Sequence, residues 1–124
     1  MPRLILLART IWVPEERHHL LDEEWLRELL RGGKFTNDEP ARLDGGYGAR
    51  PEEVAPFMEG HGLETLALLA AESISRGLEA AIAETAEQAP EVHARMLDVL
   101  AEVAEEPSIL AMSGHLLLIG RRSG

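Results

Sequence analysis

The sequence predicts an α+β domain, with helices packed on a small antiparallel β-hairpin. Two observations carry this reading. The apolar run His115–Ile119 is bounded by Ser113-Gly114 before it and Gly120 after it, the pattern of a short buried strand. Several earlier segments repeat apolar residues at helical spacing, each with its own start and stop signal. At 124 residues the chain has the size of one domain, taken here as residues 1–124.

Leu4, Leu7, Ala8, Ile11 and Trp12 fall at i, i+3, i+4, i+7 and i+8, one face of a helix. The run is short enough to be a strand as well, and Pro14 ends either. It is too short for a membrane span, and Arg9 interrupts it, which argues against a signal peptide too. Asp22 is placed as an N-cap, with Glu23 and Glu24 in the first turn near the positive end of the helix dipole. Trp25, Leu26, Leu29 and Leu30 form the apolar stripe of that helix, and Gly32-Gly33 stops it. Lys34 to Ala49 reads as a long loop, punctuated by Asn37-Asp38-Glu39-Pro40 and Gly45-Gly46-Tyr47-Gly48.

Arg50-Pro51-Glu52-Glu53 opens the next helix, with Pro at the first helical position. Val54, Phe57 and Met58 are expected to face inward, and Gly60 and Gly62 to end it. Leu63 to Ala71 stays open between strand and helix, since Leu and Ala favour helix. Ser73 and Ser75 are placed as caps of a helix striped by Ile74, Leu78 and Ile82. Pro90 starts another, striped by Val92, Met96, Val99, Leu100 and Val103, with Pro107 beyond its end.

The composition narrows the function classes. There is no cysteine, so disulfides, thiolate metal sites and cysteine nucleophiles are excluded. The net charge is −10, and residues 51–124 carry −9 of it, with 4 basic against 13 acidic side chains. Such a surface repels nucleic-acid backbone and anionic lipid, so neither is expected as a partner. A cytoplasmic, soluble protein is expected.

Four groups of residues are of types that can carry chemistry. His18-His19 with Glu15, Glu16 and Asp22 suggests a metal, but adjacent histidines point apart on a helix, so no metal site is expected. Gly46-x-Gly48 and Gly60-x-Gly62 lack the strand before and helix after that a phosphate loop needs, and read as turns. His93 and His115 have no Ser or Asp partner that the sequence places, so no catalytic residue is expected. Tyr47 and Arg50 flank a glycine-rich turn feeding a helix N-terminus, a place to hold an anionic or polar group. They are the candidate substrate-binding residues, against a plainer reading of a packed tyrosine and an arginine paired with Glu53.

From residue 29 onward the chain resembles the C-terminal part of class I S-adenosylmethionine-dependent methyltransferases, in particular bacterial small-molecule enzymes of the ubiquinone/menaquinone type. The pieces that carry the resemblance are Leu29-Leu-Arg-Gly-Gly-Lys-Phe-Thr-Asn37, Gly46-Tyr-Gly-Ala-Arg-Pro-Glu-Glu-Val54, Met58-Glu-Gly-His-Gly-Leu-Glu-Thr-Leu-Ala-Leu-Leu-Ala-Ala-Glu72 and Glu106-Pro-Ser-Ile-Leu-Ala-Met-Ser-Gly-His-Leu-Leu-Leu-Ile-Gly120. Their succession is more specific than any one of them. It implies that Leu63–Ala70 is a strand pairing with His115–Arg121 in a fragment of a Rossmann-like fold. It also makes Met1–Val13 a helix. The family's glycine-rich cofactor loop and ribose-binding acid are missing from these residues. No cofactor-binding residue carries over, and no cofactor is expected on the isolated chain. The expectation is a truncated methyltransferase-like region, inactive without a separate cofactor-binding subunit. The alternative is a stand-alone dimeric module that binds a small ligand. Either way, a homodimer is expected.

Overall fold

The computed structural model describes residues 1–38 and 44–124. Helix α1 runs Arg3–Trp12, and Pro14 opens a 3-10 helix, Pro14–Leu21. Helix α2 spans Glu23–Arg27 and passes directly into a π-helical turn, Glu28–Gly32. Asp22 caps α2 as expected, its Oδ1 accepting the Trp25 N–H at 3.0 Å. Gly33, at φ 74, ends the unit in the left-handed region. The core lies here: Leu6, Trp25 and Leu29 are buried together, with Leu7, Leu26 and Phe35 packed against them. Trp25 also satisfies its indole N–H on the Thr36 carbonyl at 3.0 Å.

The expected loop from Lys34 to Ala49 is corrected. Strand β1, Lys34–Thr36, pairs antiparallel with β2, Gly45–Tyr47. Phe35 is the apolar residue of this ribbon that packs into the core. Gly45 and Gly46 pair with Thr36 and Phe35 in the ladder, and a Cβ on either would press on Phe35. The Asn37-Asp38-Glu39-Pro40 turn signal runs into residues 39–43, outside the described residues.

Helix α3, Pro51–Glu59, leads through Gly62 at φ 84 into strand β3, Leu63–Ala70. Strand β4, Leu116–Arg122, pairs with β3 antiparallel, from Leu63 opposite Arg122 to Ala70 opposite Leu116. The strand expected from His115 thus starts one residue later. The register slips between Thr65 and Ala67, leaving Leu66 as a bulge beside Gly120.

Between the strands the helices differ from expectation at one end. Ser73–Ser75 is a single 3-10 turn, and Gly77 at φ 82 breaks the chain before α4, Glu79–Gln88. Ile74 and Leu78 therefore precede α4 rather than striping it. Helix α5, Pro90–Glu102, folds back along α4, and α6, Pro107–Met112, follows. Leu110 of α6 is buried, and α6 packs on α1 and the Ser73–Ser75 turn. The apolar faces of α3 and α5 are less covered than their periodicity implies. Phe57 is 64% exposed and Val92 52%. The fold is α+β, with two small antiparallel sheets among the described residues. No helix among them is long and apolar enough to cross a membrane.

Candidate functional site

Tyr47 and Arg50 sit where β2 meets α3, but they belong to different surroundings. The Tyr47 hydroxyl donates to Glu53 Oε2 at 2.7 Å. The Arg50 backbone N–H donates to the same oxygen at 3.1 Å, so Glu53 closes the N-terminus of α3. The residue that sequence reasoning missed is Arg3. It is 4% exposed and reaches from α1 into this corner. Its Nε donates to the Gly48 carbonyl at 2.9 Å, and its Nη2 lies 3.2 Å from the Tyr47 hydroxyl and 3.3 Å from Glu53 Oε1. The partner of Glu53 is thus Arg3, not Arg50 alone. The hydrogen bond from Tyr47 holds the Glu53 carboxyl below the usual range, with the Arg50 N–H adding to it. The same bond pushes the Tyr47 hydroxyl up. Tyr47 lines open cavities beside Phe35 and beside Phe57, whereas Arg50 lines another beside Pro2 and Leu30. No described cavity takes both side chains.

His115, which the sequence left without a partner, has one. The Glu72 carboxylate accepts the His115 backbone N–H at 2.7 Å and contacts His115 Nδ1 through its other oxygen. Ser113 Oγ lies 3.1 Å from Glu72 and 2.8 Å from the His115 carbonyl. Burial raises the Glu72 carboxyl, but the bonds from His115 and Ser113 outweigh it, and the group ends below its ordinary value. The order is Ser–Glu–His, with the acid in the middle. Among the described residues no hydrogen bond joins the Ser113 hydroxyl to an imidazole nitrogen, so the trio ties β4 to the end of β3 rather than forming a nucleophile. No sequence signal links positions 72 and 115, which only the β3/β4 pairing brings together.

The two adjacent histidines do not point apart. In the 3-10 helix their rings lie 4.0 Å centroid to centroid, and His19 stacks on Trp25 at 4.3 Å. Burial and the neighbouring His18 lower the His19 pKa. His18 Nε2 is 3.4 Å from Asp38 Oδ2, and the donor atoms of His18, His19 and Asp38 all lie within 4.8 Å of one another. A tetrahedral zinc ion with bonds of about 2.1 Å needs donors roughly 3.4 Å apart. The set offers the right atoms in a looser arrangement.

The most spacious cleft described, about 940 Å³, lies elsewhere. Its walls are α1, the Ser73–Gly77 turn and α6, including Ile5, Trp12, Ser73, Arg76, Ile109 and Met112. Comparison with protein-family models, with curated proteins and with solved structures finds no match.

Proposed function

We propose that this chain is a methyltransferase-like, substrate-side region that transfers no methyl group alone and works with a separate cofactor-binding half. The β3/β4 hairpin is the observation that carries the reading. It is a two-stranded sheet with apolar residues on both faces, and Leu66 and Leu117 are 54% and 53% exposed. A sheet of that composition belongs between other layers. The resemblance implies a strand, two helices and a closing strand; the chain has β3, α4, α5 and β4 in that order, with the short helix α6 added before β4. In that family the hairpin joins a larger sheet whose first strands carry the S-adenosylmethionine site.

Calorimetric titration of the isolated chain with S-adenosylmethionine tests the reading. The expected outcome is no saturable heat, because the glycine-rich loop and ribose-binding acid that hold the cofactor are missing from these residues. A dissociation constant in the micromolar range would overturn it.

The second reading is a homodimeric binding module without enzymatic activity. The cleft between α1 and α6 favours it, since a chain with its own pocket needs no second half to hold a ligand. Both readings place a partner chain on the hairpin. In the absence of a cofactor-binding half, that partner is a second copy.

A further inference from the structure

We infer that the cleft between α1, the Ser73–Gly77 turn and α6 is a binding site for a small apolar carboxylic acid, with Arg76 and Ser73 taking the carboxylate. This does not depend on the methyl-transfer reading.

The fold buries two polar atoms here and leaves them unused. Ser73 is 3% exposed, and its Oγ has no hydrogen-bond partner. Arg76 Nε is also buried without a partner. Leaving such groups unpaired costs free energy. Both residues line the same cleft. Ser73 is also, among the described residues, the non-glycine residue with positive φ, at 55. A strained serine carrying an unpaired hydroxyl is costly in two ways at one position.

The Arg76 guanidinium is held rather than loose. Its Cζ lies 4.8 Å from the centre of the Trp12 ring. On its other side it rests against Gly114, where any Cβ would collide with Nη1. A side chain at 114 would therefore push the guanidinium out of this position. The acids nearby are already committed. Glu72 is engaged by His115 and Ser113, and Glu79 accepts the Gly77 N–H at 3.1 Å. The cation is thus positioned on an aromatic face in the wall of the cleft, near enough to Glu79 to feel its charge but without an ion pair among the described residues.

The remaining walls fix the ligand class. Ile5, Trp12, Ile109 and Met112 are apolar and suit a hydrocarbon or aromatic body. A planar carboxylate matches the fork of a guanidinium. Glu72 and Glu79 on the rim, within a chain of net charge −10, disfavour a phosphate dianion over a monoanion.

The test uses the whole chain and three probes at constant ionic strength: octanoate, octanamide and inorganic phosphate. Calorimetry and tryptophan emission report binding. Octanoate is expected to bind saturably, one per chain, about tenfold tighter than its neutral amide, the worth of a charge-assisted pair. Phosphate is expected not to compete. Arg76→Gln should erase the preference of acid over amide, and Gly114→Ala should do the same by displacing the guanidinium, with circular dichroism unchanged. Equal affinity for acid and amide, no binding of either, or phosphate binding as tight as octanoate would each overturn the inference. So would a folded Arg76→Gln chain that keeps the preference. If a variant fails to fold, the acid-to-amide comparison on the unaltered chain still decides.

Discussion

Arg3, Gly48 and Glu72 show how single residues hold this molecule together. Gly48 lies so close to α1 that a Cβ there would stand 2.7 Å from Leu6 Cδ1 and 3.0 Å from the Arg3 Cα. Backbone cannot yield as a flexible side chain does. Gly48→Ala should therefore destabilise the chain by about 1–3 kcal/mol, the usual cost of overpacking, read as a lower urea midpoint. An unchanged midpoint would mean that α1 does not press on this turn. Glu72 sets a pH dependence. Its carboxyl is lower in the folded chain than in the unfolded one, so its bonds to His115 and Ser113 stabilise the fold above the ordinary carboxylate range. That contribution is lost as pH falls through the lowered folded value. Glu72→Gln should flatten the acid side of a stability-versus-pH curve, and an identical curve would contradict the assignment. At this scale little was legible beforehand. Tyr47, Arg50 and His115 stood out by type, but Arg3 and Glu72 lie 44 and 43 positions from Tyr47 and His115. Nothing local in the sequence announces such pairings.

Among the elements, those with their own boundary chemistry were the most legible. The Asp22 cap, the Pro51 and Pro90 helix starts and the left-handed stops at Gly33 and Gly62 are each written within a few residues. Asp22→Ala should cost about 1 kcal/mol, because the Trp25 N–H loses its acceptor and Trp25 anchors the core. Equilibrium unfolding checks this, and a change within error would show the cap to be dispensable. Elements decided by distant partners were not legible. Lys34–Thr36 and Gly45–Tyr47 are three-residue strands, too short for any periodicity, and become strands only because they face each other and Phe35 reaches the core. Leu63–Ala70 favours helix by composition and is a strand because β4 lies beside it. The expected helix from Ser73 failed at Gly77, whose φ of 82 is compatible with a break and not with a helix.

For the whole molecule, the central fact is apolar surface without a cover. The buried cluster of Leu6, Trp25 and Leu29 serves the N-terminal elements, while Ile74, Leu78, Val92 and Leu97 near α4 and α5 remain about half exposed. On the hairpin, Leu66, Leu117 and Ile119 do the same on β3 and β4. Isolated surface leucines need no explanation, but runs of them along two neighbouring elements mark an interaction surface. A two-stranded sheet also leaves an unpaired edge, which invites another chain. A two-fold pair of chains satisfies both conditions at once, by joining edges or stacking faces. The α+β class was legible from the sequence, and so was the hairpin through the resemblance. The extent of exposure was not, because periodicity tells which side of an element is apolar and not what lies against it. Light scattering on the purified chain at micromolar concentration reads whether such a pair forms. The expected result is a species of twice the mass of one chain, with intact secondary structure. A monomer with equally intact secondary structure would show that one chain covers its own hairpin and that no second copy is needed.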